Sequence, residues 1–111
     1  MQQLFAFLYR PTRPLDEADR ARRSLLVREW SLAQHAAGRA LAIAVFDEAT
    51  LLLRHDDRDD QAPDQAPAAG CTLFQLPDLD AALALARDFP GRAFGTDVEI
   101  RPVKTFVPPT T

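Results

Sequence analysis

Apolar and polar positions change period several times along the chain, and each change marks an element. Residues 3–9 alternate with period two, placing Leu4, Ala6 and Leu8 on one side and Phe5, Phe7 and Tyr9 on the other. This pattern predicts a first strand that must be covered on both faces. Pro11 and Pro14 mark a turn after it. Residues 15–37 then read as a long helix: Asp16, Glu17 and Asp19 sit near its positive start, and Leu15, Ala18, Leu25, Leu26, Trp30, Ala33 and Ala37 form the stripe expected to face inward. Gly38 supplies a C-terminal cap.

Residues 41–46 are again apolar on both sides, with Leu41, Ile43 and Val45 against Ala42, Ala44 and Phe46. After a turn at 47–50, residues 51–55 read as a third strand returning as a hairpin. Composition shifts from residue 56 to residue 70 toward Asp, Gln, Pro and Ala, with Gln-Ala-Pro at 61–63 repeated at 65–67. Such a stretch lacks the apolar content to pack and predicts a long mobile loop. The single domain is expected to span residues 1–107, with a frayed tail at 108–111.

The C-terminal third has the clearest pattern. Leu73, Phe74 and Leu76 fit a buried strand over residues 71–76, and Pro77 stops it. Asp78 is a good N-cap and Asp80 adds charge suited to a helix start. Leu79, Ala82, Leu83, Ala86 and Phe89 recur at three- and four-residue steps as one inward stripe, and Pro90-Gly91 ends the helix. Residues 97–103 close the chain as a strand with Val98 and Ile100 on one face and Glu99 and Arg101 on the other. Two helices cover only one face of a four-stranded sheet. The other face would expose large side chains, each worth roughly 1.5–3 kcal/mol when buried. A twofold homodimer packing sheet to sheet removes that cost.

Composition narrows the classes. A chain of 111 residues suits one domain. Net charge −3 and pI near 5.2 argue against general nucleic-acid binding, which shows a basic stripe. The arginines at 20, 22, 23 and 28 suggest an anion-binding face, but Asp16 precedes Arg20 and Asp19 precedes Arg23 by four residues. Such spacings predict side-by-side pairs on a solvated face, each worth a few tenths of a kcal/mol. One cysteine, Cys71, excludes an intrachain disulfide and suits a reducing compartment. The apolar run at 4–9 is too short for a signal-peptide core, and no run approaches a membrane span. The expectation is a soluble cytoplasmic protein that engages neither nucleic acid nor membrane.

The pairing of DLDAALALARDFP at 78–90 with VEIRPV at 98–103, together with Trp30 and the Ala-Ala-Gly at 36–38, resembles the YCII-related family, which includes the DGPF-motif proteins. That resemblance implies an α+β fold, a ferredoxin-like antiparallel sheet with two helices on one face, pairing with a second copy as a dimeric α+β barrel. The Asp-Gly-Pro-Phe motif itself is missing: the corresponding region reads HDDRDDQAPDQAPAAG at 55–70. The role of the motif's aspartate therefore passes to no residue here.

Candidate chemistry is sparse. Arg101 is suited to hold a carboxylate or phosphate, with Glu99 as base or orienting group. An ion pair within the sheet or across a dimer accounts for the same two residues and is preferred. Tyr9 and Arg10 end the first strand, which the ferredoxin-like order implied by the resemblance places beside the last one. They would form one wall of a cleft with Arg101, against the simpler reading of an aromatic and an exposed arginine at a strand end. His55, followed by Asp56 and Asp57, has the composition of an oriented general base, though a solvated histidine beside a mobile loop is the preferred reading. His35 suits the negative end of the first helix. Asp56, Asp57, Asp59, Asp60 and Asp64 lack the spacing of a calcium loop, no metal site is expected, and no cofactor motif is present. Cys71 has no neighbour in sequence to activate it.

Three functional classes follow. The first is a small dimeric module binding a small-molecule anion or a partner without catalysis. The second is a cleft enzyme acting on a small carboxylate or cyclic substrate by acid/base chemistry. The third, which comes from the resemblance alone, is a regulatory protein associated with an extracytoplasmic-function sigma factor.

Overall fold

A computed structural model describes residues 2–56, 59–60 and 67–110. Strand β1 (Gln3–Pro11) leads into helix α1 (Glu17–Ala36), strand β2 (Ala40–Val45) and two short strands, β3 (Leu52–Leu53) and β4 (Asp59–Asp60). Strand β5 (Gly70–Leu76), helix α2 (Leu79–Arg87), a 3₁₀ turn (Pro90–Phe94) and strand β6 (Thr96–Pro102) complete the fold. Four strands form one antiparallel sheet in the order β2-β5-β1-β6. This is the ferredoxin-like arrangement of an α+β domain, with both helices on one face. The expected 78–90 helix and 97–103 strand agree with α2 and β6 to within a few residues.

Local chemistry sets the helix ends. Asp16 caps α1 by accepting from the Asp19 amide at 2.7 Å, and Asp78 caps α2 by accepting from the Ala81 amide at 2.8 Å. At the far end of α1, Gly38 adopts φ +80°, and the amides of Gly38 and Arg39 return to the carbonyls of His35 and Gln34. Only a residue comfortable in the left-handed region closes a helix this way, which is the reason Gly38 follows it.

The two faces of the sheet separate cleanly. Along β1, Phe5, Phe7 and Tyr9 are buried, while Leu4, Ala6, Leu8 and Arg10 are half-buried on the reverse side. β5 repeats the alternation, with Thr72, Phe74 and Leu76 beneath the helices and Cys71, Leu73 and Gln75 on the open face. Val98 and Ile100 of β6 join the helix-side core. The core is aromatic: Phe7 lies 4.5 Å from Phe74, Tyr9 stacks on Phe89 at 4.4 Å, and Trp30 meets both Phe74 and Phe89 edge-on.

Three expectations need correction. The third strand at 51–55 does not return as a hairpin on β2; Leu52–Leu53 pairs with Asp59–Asp60 outside the main sheet, and the neighbour of β2 is β5. Three consecutive leucines offer no alternation to set a buried face, and Leu51 and Leu53 are exposed. On α1, Leu25 is 56% exposed and Ala18, Ala33 and Ala37 face outward, while Val27, Trp30, Ser31 and Gln34 turn inward. Trp30 settles this rotation, because its ring seats between Phe74 and Phe89, and Gln34 is satisfied by the Arg39 Nε at 2.6 Å. On α2 the packed stripe is Ala82, Leu85, Ala86 and Phe89, with Leu79 and Leu83 at its exposed margin.

Within the predicted loop at 56–70, residues 57, 58 and 61–66 lie outside the described residues, as does Thr111 in the tail. No helix among the described residues is long and apolar enough to cross a membrane.

Candidate functional site

Alternation along β1 decides which expected site residues meet. Arg10 points to the open face, where its Nε donates to Glu99 Oε1 at 3.0 Å; Arg101 Nη1 lies 3.5 Å from Glu99 Oε2. Arg10 pairs with Asp97 and Leu8 with Glu99 in the strand register, so the triad stands where β1 and β6 adjoin on that face. One carboxylate is thus shared by two guanidiniums. These are part-exposed ion pairs, a class worth about 0–1 kcal/mol each, and they order the edge more than they stabilise the fold. A groove of about 530 Å³ runs along β6 beside them, with Leu83, Arg87 and Arg92 on its far wall.

Tyr9 does not join that wall. Its ring lies on the helix side, and its hydroxyl donates to Thr72 Oγ1 at 2.9 Å. Burial pushes the phenol pKa up from 10.0 to about 12, against the opposing pull of the Thr72 hydroxyl, which can turn to donate to a phenolate. Tyr9 is therefore protonated at neutral pH and holds one fixed hydrogen bond. Cys71, on the open face, also has its pKa raised by burial. Such a thiol is less readily ionised than a free one.

His55 is exposed in the turn after β3, and no hydrogen bond or ion pair reaches its imidazole among the described residues. Asp57 and Asp64 lie outside the described residues. His35 is in the last turn of α1, as its charge suits. The pairs expected along α1 do not form: Asp16 is occupied as the cap, and Arg20 reaches the Leu15 carbonyl.

A second concavity, not foreseen from the sequence, lies between α1 and the sheet. An open groove of about 450 Å³ is lined by Tyr9, Phe89, Val27, Leu32, Ala44 and Val45, with Ser24, Ser31, Arg23 and Arg28 contributed by the helix. Its walls are mainly carbon, and its volume falls within the 300–1,000 Å³ typical of small-molecule sites. Arg23 and Arg28 make no hydrogen bond or ion pair among the described residues. Their spacing of five residues along the helix was visible in the sequence. Their shared cavity was not, because it depends on the rotation of α1 set by Trp30.

In comparisons with known proteins, the chain matches no protein-family model and no curated protein.

Proposed function

We propose that the chain is a small homodimeric binding module of YCII-related type, non-catalytic, in which two copies pair through the open faces of their sheets. The supporting observation is the make-up of that face. Leu4, Ala6, Leu8, Cys71 and Leu73 occupy the central strands with both helices on the opposite side, and the charges of Arg10, Glu99 and Arg101 are gathered toward the β6 edge. At about 3.3 Å per residue and 4.8 Å between strands, the face measures roughly 20 by 20 Å. That is the size at which an apolar patch marks a contact surface. A twofold operation places the same stripe against itself and closes the assembly. The likeness of residues 78–90 and 98–103 to YCII-related proteins supports the same arrangement.

Binding rather than catalysis fits the state of the polar groups. Of the acid/base candidates, the Tyr9 hydroxyl is spent on Thr72 and Glu99 on two arginines, while His55 is exposed and lines neither groove. The Arg10–Glu99–Arg101 triad carries one net positive charge, which suits a carboxylate of the partner copy or a small anion at the interface.

Sedimentation equilibrium tests the reading. The expected mass is twice 12.3 kDa at micromolar concentration. Leu73→Lys, which places a charge between Ala6 and Ala42 at the centre of the face, should give a folded monomer. A wild-type chain that sediments as a folded single copy overturns the proposal.

A further inference from the structure

We propose that the cavity between α1 and the sheet binds a small organic anion with an apolar aromatic or aliphatic body, its charged end held by Arg23 and Arg28. The inference rests on the reading of the chain as a binding module, and it uses a site distinct from the open face.

Two independent features of the cavity point to the same ligand. The first is the lining. The stacked rings of Tyr9 and Phe89, with Val27, Leu32 and Val45, offer carbon surface; on the sheet side the Tyr9 hydroxyl is taken up by its bond with Thr72, and Thr96 adds a second hydroxyl residue to the lining. A water-filled space against such walls gains little from its waters, so an apolar body displaces them favourably. At the ~30 Å³ a liquid water occupies, 450 Å³ corresponds to a body of roughly fifteen heavy atoms or fewer.

The second feature is charge. Arg23 is half-buried and Arg28 stands at the exposed rim, on the same helix and around the same opening. Asp19, four residues before Arg23, has its amide tied to the Asp16 cap, and neither guanidinium is answered by a carboxylate among the described residues. Two cations thus stand at the mouth of an apolar groove with no carboxylate partner among the described residues. A guanidinium pair that faces a carboxylate of a bound ligand forms charge-assisted hydrogen bonds, about twice as strong as neutral ones. Neutral ligands of the same shape receive the walls but not this contribution, so the site selects for the anion.

Trp30, the sole tryptophan, lies 5.3 Å from the Phe89 ring that lines the cavity and provides an intrinsic signal. The full chain is titrated with phenylbutyrate and, separately, with the neutral phenylbutanol, while Trp30 fluorescence is followed. Phenylbutyrate should bind roughly tenfold or more tightly than phenylbutanol, the margin expected of one charge-assisted contact. In the double variant Arg23→Gln/Arg28→Gln the two compounds should bind alike, with phenylbutanol within about twofold of its wild-type value. Gln keeps helix propensity at these positions, and circular dichroism confirms folding.

Equal affinity of the wild type for both compounds, a margin that survives the double variant, or no saturable change with either compound at millimolar concentration would each overturn the assignment. Sedimentation of the same samples separates the two proposals. Selective phenylbutyrate binding by a monomer leaves the cavity assignment standing without the dimer, and a dimer without selectivity does the reverse.

Discussion

Tyr9 permits an unusually direct test of the core, because it is the only tyrosine in the chain and its ionisation can be followed by absorbance without interference from another phenol. Its pKa is pushed up to about 12 by burial. A folded-state pKa above the unfolded value means that the folded protein holds the proton more tightly. The associated stability is fully present below pH 10 and is lost as pH rises from 10 toward 12. Two pH units correspond to about 3 kcal/mol, of which roughly 1 is gone by pH 11 and roughly 2 by pH 12. Tyr9→Phe removes this dependence. At neutral pH it forfeits the 2.9 Å bond to the buried Thr72 hydroxyl, a loss of roughly 1–2 kcal/mol, while the ring stacked on Phe89 is retained. Urea denaturation should therefore find wild type the more stable at pH 8 and the difference erased between about pH 11 and 12. All other titrating groups are common to both proteins and cancel. Tyrosinate absorbance should either appear with a midpoint near 12 or rise steeply together with loss of far-ultraviolet circular dichroism. A smooth midpoint near 10 in a chain that keeps its native dichroism would refute the burial of this hydroxyl.

Two further substitutions probe the framework of the cavity. A Cβ on Gly70 would stand 2.7 Å from the Ala44 carbonyl oxygen of the neighbouring strand, so Gly70→Ala should cost roughly 1–3 kcal/mol in chemical denaturation; a neutral result would mean that β2 and β5 are not paired in this register. Ser31→Leu, at a buried position lining the cavity, should fill part of it, raise stability by about 1 kcal/mol and weaken phenylbutyrate binding at least tenfold. Unchanged binding with lowered stability would place Ser31 elsewhere.

The four strands of the main sheet, the Asp78 cap and the two helices could be read from the chain because each rests on local chemistry. Asp78 caps where it stands, and Phe5, Phe7 and Tyr9 share a face because strands alternate. The same alternation separates Tyr9 from Arg10: adjacent residues in a strand point apart, so the pairing of both with Arg101 in one cleft was unavailable to them. Arg10, Glu99 and Arg101 do meet, since positions 99 and 101 share a face and the register brings Glu99 opposite Leu8. Helix rotation was harder. Apolar residues occur on several sides of α1, and the choice among them depends on a ring contact between Trp30 and two phenylalanines distant in sequence. The cavity depends on that choice and was hidden with it.

The cavity itself follows from where side-chain volume is missing on both sides of one interface. Trp30 is the bulky residue of the inward face of α1 and stands between the helix and the sheet at Phe74 and Phe89. In the turns before it the helix offers Val27 and Ser24, and after it Ser31, all smaller than the tryptophan and all lining the groove. Opposite them, β5 begins at Gly70, whose backbone lies so close to the Ala44 carbonyl that no side chain fits there. The floor is therefore kept low by strand pairing, and the roof is held up by a tryptophan. Neither can close the gap by a small adjustment, because one is fixed by a backbone hydrogen-bond ladder and the other by an aromatic cluster. What remains adjustable are Ser24, Ser31, Arg23 and Arg28, all on one helix. A site of this construction changes its ligand by substitutions that leave the sheet and the Trp30 cluster untouched.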